Sequence, residues 1–331
     1  MRHWSKPAAV LAAVLGITGC EVALAWGAAG HETVGAIADQ LIAGTNAQTH
    51  VQAILGNDLS LSDASTWADC VKTLSVSGAA CAIFATHGGK AEMTDFVGRN
   101  SSCVRTDGDE DCNKQYHYAD VSLKQVAYKP GLVGVRGDDI VGAINAAVHF
   151  LKGDPAPAPF GFKDDHEALM ALVHYVGDAH QPLHVGAVYL SAKGKRVDPD
   201  KSGFKPATFT RGGNFLFITT TKQLHGTWDD IPTDLNRDQI DAQWIAAAKA
   251  VPTVPGDVFG WSTSWVTDTL TQAKAAFGQV TFGPLVDKPL KGKRWATKLP
   301  AGYSARMEAI KKTQLTAGGA HLAQLLEAIW P

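Results

Sequence analysis

Within eleven consecutive positions the chain places His174, Asp178, His180, Pro182 and His184. On a helix, residues i and i+4 share a face, so His174 and Asp178 can grip one metal ion together. Pro182 lacks a backbone donor and clashes inside a helix, so His184 is expected just past a kink or stop, where it can serve a second ion. Ordinary core packing does not call for three imidazoles and a carboxylate in so short a stretch.

The first 25 residues read as a secretory leader: Arg2 and Lys6, a short apolar run, then the small-residue site Ala23-Leu24-Ala25. The run is too short for a membrane span. Ile17-Thr18-Gly19-Cys20 also fits a bacterial lipobox, which would leave Cys20 lipidated. Cleavage after Ala25 would leave residues 26–331 as one domain, exported to the periplasm or beyond and with no stable membrane association. Removing Arg2, Lys6 and Glu21 from 30 basic and 32 acidic side chains leaves 28 and 31, a formal charge of −3. That balance excludes nucleic-acid binding driven by overall basic charge. Any charge for handling phosphate would have to come from bound metal.

Four cysteines remain after cleavage: Cys70, Cys81, Cys103 and Cys112. An even number in an exported chain suggests two disulfides, with three possible pairings. The short loops favour Cys70–Cys81 and Cys103–Cys112, and no C-x-x-C spacing suggests a thiolate zinc site.

Helical periodicity runs over residues 32–41, 45–55, 138–151, 166–176, 237–250 and 262–276. A last helix spans 304–329, with Gly318-Gly319 as a weak point inside it. Residues 215–221 are β-branched and aromatic and predict a short strand. Residues 153–162, 192–213 and 283–302 read as long loops, of the kind that often carry function. The pattern predicts an all-α, single mainly helical domain.

Further candidate ligands lie elsewhere. His31 follows soon after the expected mature terminus, Asp69 closes Trp67-Ala68-Asp69, and His117 precedes Tyr118-Ala119-Asp120. His225 and Asp229 repeat the His-x-x-x-Asp spacing. Singly, each is as consistent with a structural histidine or a solvated ion pair. Together with the central motif they form a set of imidazoles and carboxylates suited to zinc, large enough for two or three ions.

With these motifs in this order, the chain resembles the zinc-dependent single-strand nucleases of the S-one/P-one type, a branch of the phospholipase C/nuclease superfamily. The markers are Trp26-Gly27-x-x-Gly30-His31, Trp67-Ala68-Asp69, His117-Tyr118-Ala119-Asp120, residues 174–184, Gly212-Gly213-Asn214 and Leu224-His225-x-x-Trp228-Asp229. Gln314-Leu315, Gly318-Gly319 and Leu322-Ala323 add to the likeness. The resemblance implies three zinc ions. One would be held by Asp69, His117, His174 and Asp178. A close neighbour would take His31, a bridging Asp178, and the amino nitrogen and carbonyl oxygen of Trp26. The third would use His184, His225 and Asp229. A Trp26 amine exists only after cleavage behind Ala25, which favours that reading over lipidation of Cys20.

The family likeness also implies hydrolysis of single-stranded RNA and DNA at the P–O3′ bond. The products would be 5′-phosphorylated, with 3′-nucleotides as further substrates, and the enzyme a monomer. Asp69 and Asp178 would serve catalysis as ligands. Tyr118 occupies the base-stacking position and Asp120 the base hydrogen-bonding position. Lys72 matches a family arginine that approaches the phosphate, but lacks its bidentate fork. Asn214 would position the phosphate or a ligand. Two alternatives share the metal chemistry: a zinc phospholipase C, for which a glutamate is expected in place of Asp229, and a non-catalytic periplasmic zinc-binding protein.

Overall fold

The computed structural model describes residues 26–103, 111–288 and 292–331. The leader and lipobox readings therefore lie outside the described residues. The described chain is mainly helical. In order come α1 (Ala28–Leu41), α2 (Asn46–Leu55), α3 (Leu61–Ala64), α4 (Trp67–Thr73), α5 (Gly89–Arg99), α6 (Cys112–Gln115) and β1 (Val121–Ser122). Then follow α7 (Ile140–Leu151), α8 (Asp165–Ala179), α9 (Pro182–Val185), β2 (Gly186–Ala187), β3 (Tyr189–Leu190), β4 (Arg196–Val197), α10 (Pro199–Ser202) and β5 (Leu216–Phe217). The chain closes with α11 (Leu224–Asp229), α12 (Ala242–Lys249), α13 (Trp261–Phe277), β6 (Thr281–Lys288), β7 (Gly292–Lys298) and α14 (Tyr303–Ile329). Among the described residues no helix is long and apolar enough to cross a membrane.

The central element is α8, buried on all sides from Glu167 to Ala179, as expected of a helix with no polar face to give to solvent. Asp164 caps its start by accepting from the Glu167 N–H. Around it pack α1, α4, α7, α13 and α14. Pro182 does what its chemistry requires: α8 stops at Ala179, and α9 restarts with the proline in its first turn.

The helix expected over 237–250 begins later, at Ala242. Asp241 accepts from Trp244 N–H and sets the start, and a 3-10 turn covers 237–239. Gly318-Gly319 does not weaken α14, which runs unbroken over 27 residues. A Cβ on Gly319 would lie 2.5 Å from Ile37 Cβ, so the missing side chain lets α14 close onto α1. The strand expected over 215–221 shrinks to Leu216–Phe217. Residues 283–302 were expected as loop; much of that stretch belongs instead to the β6–β7 hairpin, with β7 paired parallel to β5. Both short-loop disulfides are present, Cys70–Cys81 and Cys103–Cys112.

The pairing most important for the site is the parallel bridge of β1 with β2, Val121 opposite Gly186. It lays the chain after His117 beside the chain after His184, and the two exchange hydrogen bonds: Ala119 N–H to His184 O, and His184 Nδ1 to His117 O, both at 2.7 Å.

Candidate metal centre

His174 and Asp178 project from one face of α8, with His174 Nε2 3.0 Å from Asp178 Oδ2. His117, arriving on the strand side, brings Nδ1 to 2.9 Å from both His174 Nε2 and Asp178 Oδ2. From α4, Asp69 Oδ1 lies 3.6 Å from His174 Nε2. From α1, His31 stacks on His174 with ring centroids 3.8 Å apart and sets Nε2 3.4 Å from Asp178 Oδ1. Asp178 thus faces histidines on both of its oxygens. His184, His225 and Asp229 form a further group, with His225 Nε2 3.6 Å from Asp229 Oδ2, and His184 Nδ1 joins it to the first at 3.4 Å from Asp178 Oδ1.

Donor atoms of His31, His174 and Asp178 lie within 4.8 Å of one another, as do those of Asp69, His117 and His174, and those of His184, His225 and Asp229. Every ligand side chain expected from the sequence is therefore gathered. Trp26 is fully buried, and its indole N–H donates to Gly177 O at 2.9 Å. Its neighbour Gly27 donates its N–H to Asp229 O at 2.8 Å. Residue 26 is fastened between the residue before Asp178 and the helix carrying His225.

The donor set fits metal ions by its hydrogen bonding. The Nδ1 atoms of His174, His184 and His225 reach the carbonyls of Ser65, His117 and Gly212 at 2.7, 2.7 and 2.8 Å. Such bonds fix the tautomer and aim the other nitrogen, as is usual for metal-bound imidazole. Gln181 donates to Asp229 Oδ1 at 2.7 Å. Left over, buried and without hydrogen-bond partners, are both nitrogens of His31, Asp178 Oδ1, His184 Nε2 and Asp229 Oδ2. Buried polar atoms rarely stay unpaired; others occur elsewhere among the described residues, but in the His/Asp set several lie side by side.

Electrostatics agree. Burial, reinforced by His174, lowers His31 to about 4. Burial and Lys72 lower His117 to about 3, and burial and His184 lower His225 to about 3. Burial opposes ionisation of Asp178, but His174 and His184 hold its carboxyl well below the usual range. His31, His117 and His225 are thus neutral and Asp178 ionised at pH 7, the forms that bind metal; for His174 burial favours the neutral ring, but Asp178 and Asp69 outweigh it and raise the imidazole. Burial, aided by Asp69 and Asp178, pushes Asp229 well up, a cost that a nearby cation would relieve.

The Lys72 side chain is only 8% exposed and points into the cluster, its Nζ 2.6 Å from Asp69 Oδ1. Asn214 sits half-buried at the rim, beside the Gly212 turn, and its amide donates to Arg211 O at 2.9 Å. Tyr118 and Asp120 line one pocket with the aromatic rings of Tyr189, Phe204 and Phe209. Sequence reasoning missed Gln181, Gly177 and the carbonyls that orient the histidines. Gln181 and Gly177 carried a signal, both lying inside the central motif.

Outside this centre, Glu92, Asp164 and His166 form a half-buried group of possible ligands. Lys163, 4.0 Å from Glu92 and 3.5 Å from Asp164, accounts for it as ion pairing.

Compared with known proteins, the chain matches the family model described as S1/P1 Nuclease over residues 26–331. It is also similar to Nuclease S1 of Aspergillus oryzae (strain ATCC 42149 / RIB 40), 27% identical over 209 residues. That alignment covers 62% of this chain and 53% of the relative, about half of the relative's length. With its His/Asp clusters assembled and the family pattern matched over nearly its whole length, the chain belongs to the S1/P1 nuclease family.

Proposed function

We propose that this protein is an exported, zinc-dependent nuclease that hydrolyses single-stranded RNA and DNA at the P–O3′ bond, releasing 5′-phosphorylated products, and that also dephosphorylates 3′-nucleotides. The observation that carries the reading is the set of unpaired, buried nitrogen and oxygen atoms contributed by His31, Asp178, His184 and Asp229. Three zinc ions account for them: one on Asp69, His117, His174 and Asp178, one on His31, Asp178 and the backbone of Trp26, and one on His184, His225 and Asp229. Zinc there would supply a water of pKa about 7 and a Lewis acid for the negative charge that develops on phosphate.

The protein's own groups would do the rest. Asp178, with both oxygens turned to histidines, would help hold two of the ions. Gln181 holds Asp229 by one oxygen and leaves the other for the ion. Lys72 supplies fixed positive charge beside Asp69, within reach of a phosphate oxygen. Asn214 positions the scissile phosphate from the rim. Tyr118 stacks on a base and Asp120 accepts a hydrogen bond from it. A base can enter this aromatic pocket only when unstacked, and stacking recovers roughly 1–3 kcal/mol. Duplexes are disfavoured because their bases must first be unpaired. Export after cleavage behind Ala25 is part of the same reading, because it would free the Trp26 amine; the family match starts at residue 26.

The test is hydrolysis of single-stranded polynucleotide against phosphatidylcholine by the purified mature protein. Cleavage of the polynucleotide alone supports the nuclease. Cleavage of the lipid alone would turn the reading to a phospholipase, and cleavage of neither to a zinc-binding protein.

A further inference from the structure

The near-neutral net charge hides a strong segregation. Residues 191–222, 281–286 and 292–298 hold ten basic side chains and two acidic ones, in a chain of 30 basic and 32 acidic residues overall. These segments form one body. β7 joins β5 and β6 in a single sheet. Leu285 N–H donates to Ala192 O at 2.8 Å, Trp295 Nε1 to Ser191 O at 3.1 Å, and Lys293 Nζ to Pro206 O at 2.8 Å. Leu190, Leu216 and Trp295 anchor it from below in a common apolar cluster.

Its cations face outward. Lys193, Lys195, Lys201, Lys205, Lys222 and Lys298 are exposed. The two acids are occupied locally: Asp198 caps α10, and Asp200 accepts from Val133 N–H and Gln125 Nε2 at 2.7 and 2.6 Å. Guanidinium groups lie over rings on the same body, Arg211 on Phe215 at 5.2 Å and Arg294 on Phe217 at 4.3 Å. Such pairs offer flat cationic faces on which unstacked bases can lie.

The body also abuts both ends of the candidate site. Phe204 and Phe209, flanking Lys205, form a wall of the Tyr118–Asp120 pocket. Gly212, next to Arg211, holds His225 through its carbonyl.

We propose that this basic lobe is a track for the sugar–phosphate backbone of a single strand, gripping it several nucleotides away from the bond that is cut. The inference rests on the nuclease reading and adds to it a preference for long strands over dinucleotides. The charge that net composition conceals then performs the steering, and overall acidity is no obstacle.

The experiment uses the zinc-loaded protein and a triple variant, Lys201→Gln, Lys205→Gln, Lys222→Gln. Binding of a 20-nucleotide single-stranded phosphorothioate, which keeps its charge and resists cleavage, is followed by fluorescence anisotropy across a salt series. Dinucleotide hydrolysis is measured alongside. For single strands each neutralised phosphate adds roughly 0.7 to the log–log salt slope. The triple variant should therefore lose about 2 from that slope and about tenfold in affinity at low salt, with dinucleotide hydrolysis unchanged. Equal slopes and affinities in the two proteins, or no binding of the strand by either, would overturn the track. Loss of dinucleotide hydrolysis in the variant would also overturn it, by placing these lysines at the cutting site. Failure of the unaltered protein to cleave any nucleotide ester, with binding intact, would instead count against the nuclease reading.

Discussion

A Cβ on Gly177 would stand 2.7 Å from Nδ1 of His31. The α8 and α1 helices approach closely enough to share Asp178 because residue 177 has no side chain. Gly177→Ala should force the His31 ring away, and its stack on His174 leaves it little room to retreat. Zinc content is expected to fall by about one ion per chain. Metal-free stability should fall less than the clash alone would demand, because alanine's helix preference of about 1 kcal/mol offsets part of it. Metal analysis after dialysis checks this; an unchanged zinc content would show that His31 is not a ligand.

Lys311, buried on α14, donates to the carbonyls of Thr227 and Asp230 at the end of α11. Burial lowers its ammonium to about 8, so it stays charged at pH 7. Its position at a helix C-terminus is favourable for a cation. Lys311→Met keeps the bulk and leaves the carbonyls unpaired, at a cost of roughly 1–3 kcal/mol. Because α11 carries His225 and Asp229, zinc retention at that group should fall with the melting temperature. Full zinc occupancy in a destabilised variant would reduce Lys311 to a purely structural role.

Tyr118→Ala should raise KM for single strands by about tenfold to a hundredfold, the equivalent of one lost stacking contact. Zinc content should be unaffected, because the side chain lines the pocket it shares with Asp120 and not the His/Asp cluster. Steady-state kinetics on a defined oligonucleotide measures this, and an unchanged KM would remove Tyr118 from substrate binding.

His180 and His321 share a hydrogen bond at 2.8 Å behind the site. Burial lowers His180 to about 4, and burial with the neighbouring His180 lowers His321 to about 3, both from an ordinary 6.5. The unfolded chain therefore binds protons first on acidification. Their contribution to stability is complete above pH 6.5 and drains as pH falls toward 4, by up to about 1.4 kcal/mol per unit for each ring. His321→Gln should flatten the dependence of melting temperature on pH between 6.5 and 4. An equally steep profile in the variant would show that this pair does not govern acid sensitivity.

The long helices were legible because their apolar period is long and their caps are local, as with Asp164 before α8. The restart at Pro182 was legible from one residue's covalent chemistry. The clustering of these histidines and aspartates was also readable, through His-x-x-x-Asp spacing and resemblance. Helix α5 escaped because it buries only Met93 and Phe96, too sparse a pattern to reveal a period. The β6–β7 hairpin escaped because its stretch is rich in glycine, proline and lysine, and because β7 pairs with the distant β5. The groups that orient the ligands were mostly hidden for a similar reason. Carbonyls of Ser65, His117 and Gly212 have no sequence signature; only the tertiary fold brings them to an imidazole.

The most direct test of the account is zinc stoichiometry together with N-terminal sequencing of the exported protein, and single-strand hydrolysis before and after chelation. The account predicts three zinc ions per chain, Trp26 as the first residue, and activity lost on chelation and regained with zinc. A chain that begins elsewhere, binds fewer ions, or cleaves single strands unchanged in chelator would contradict it.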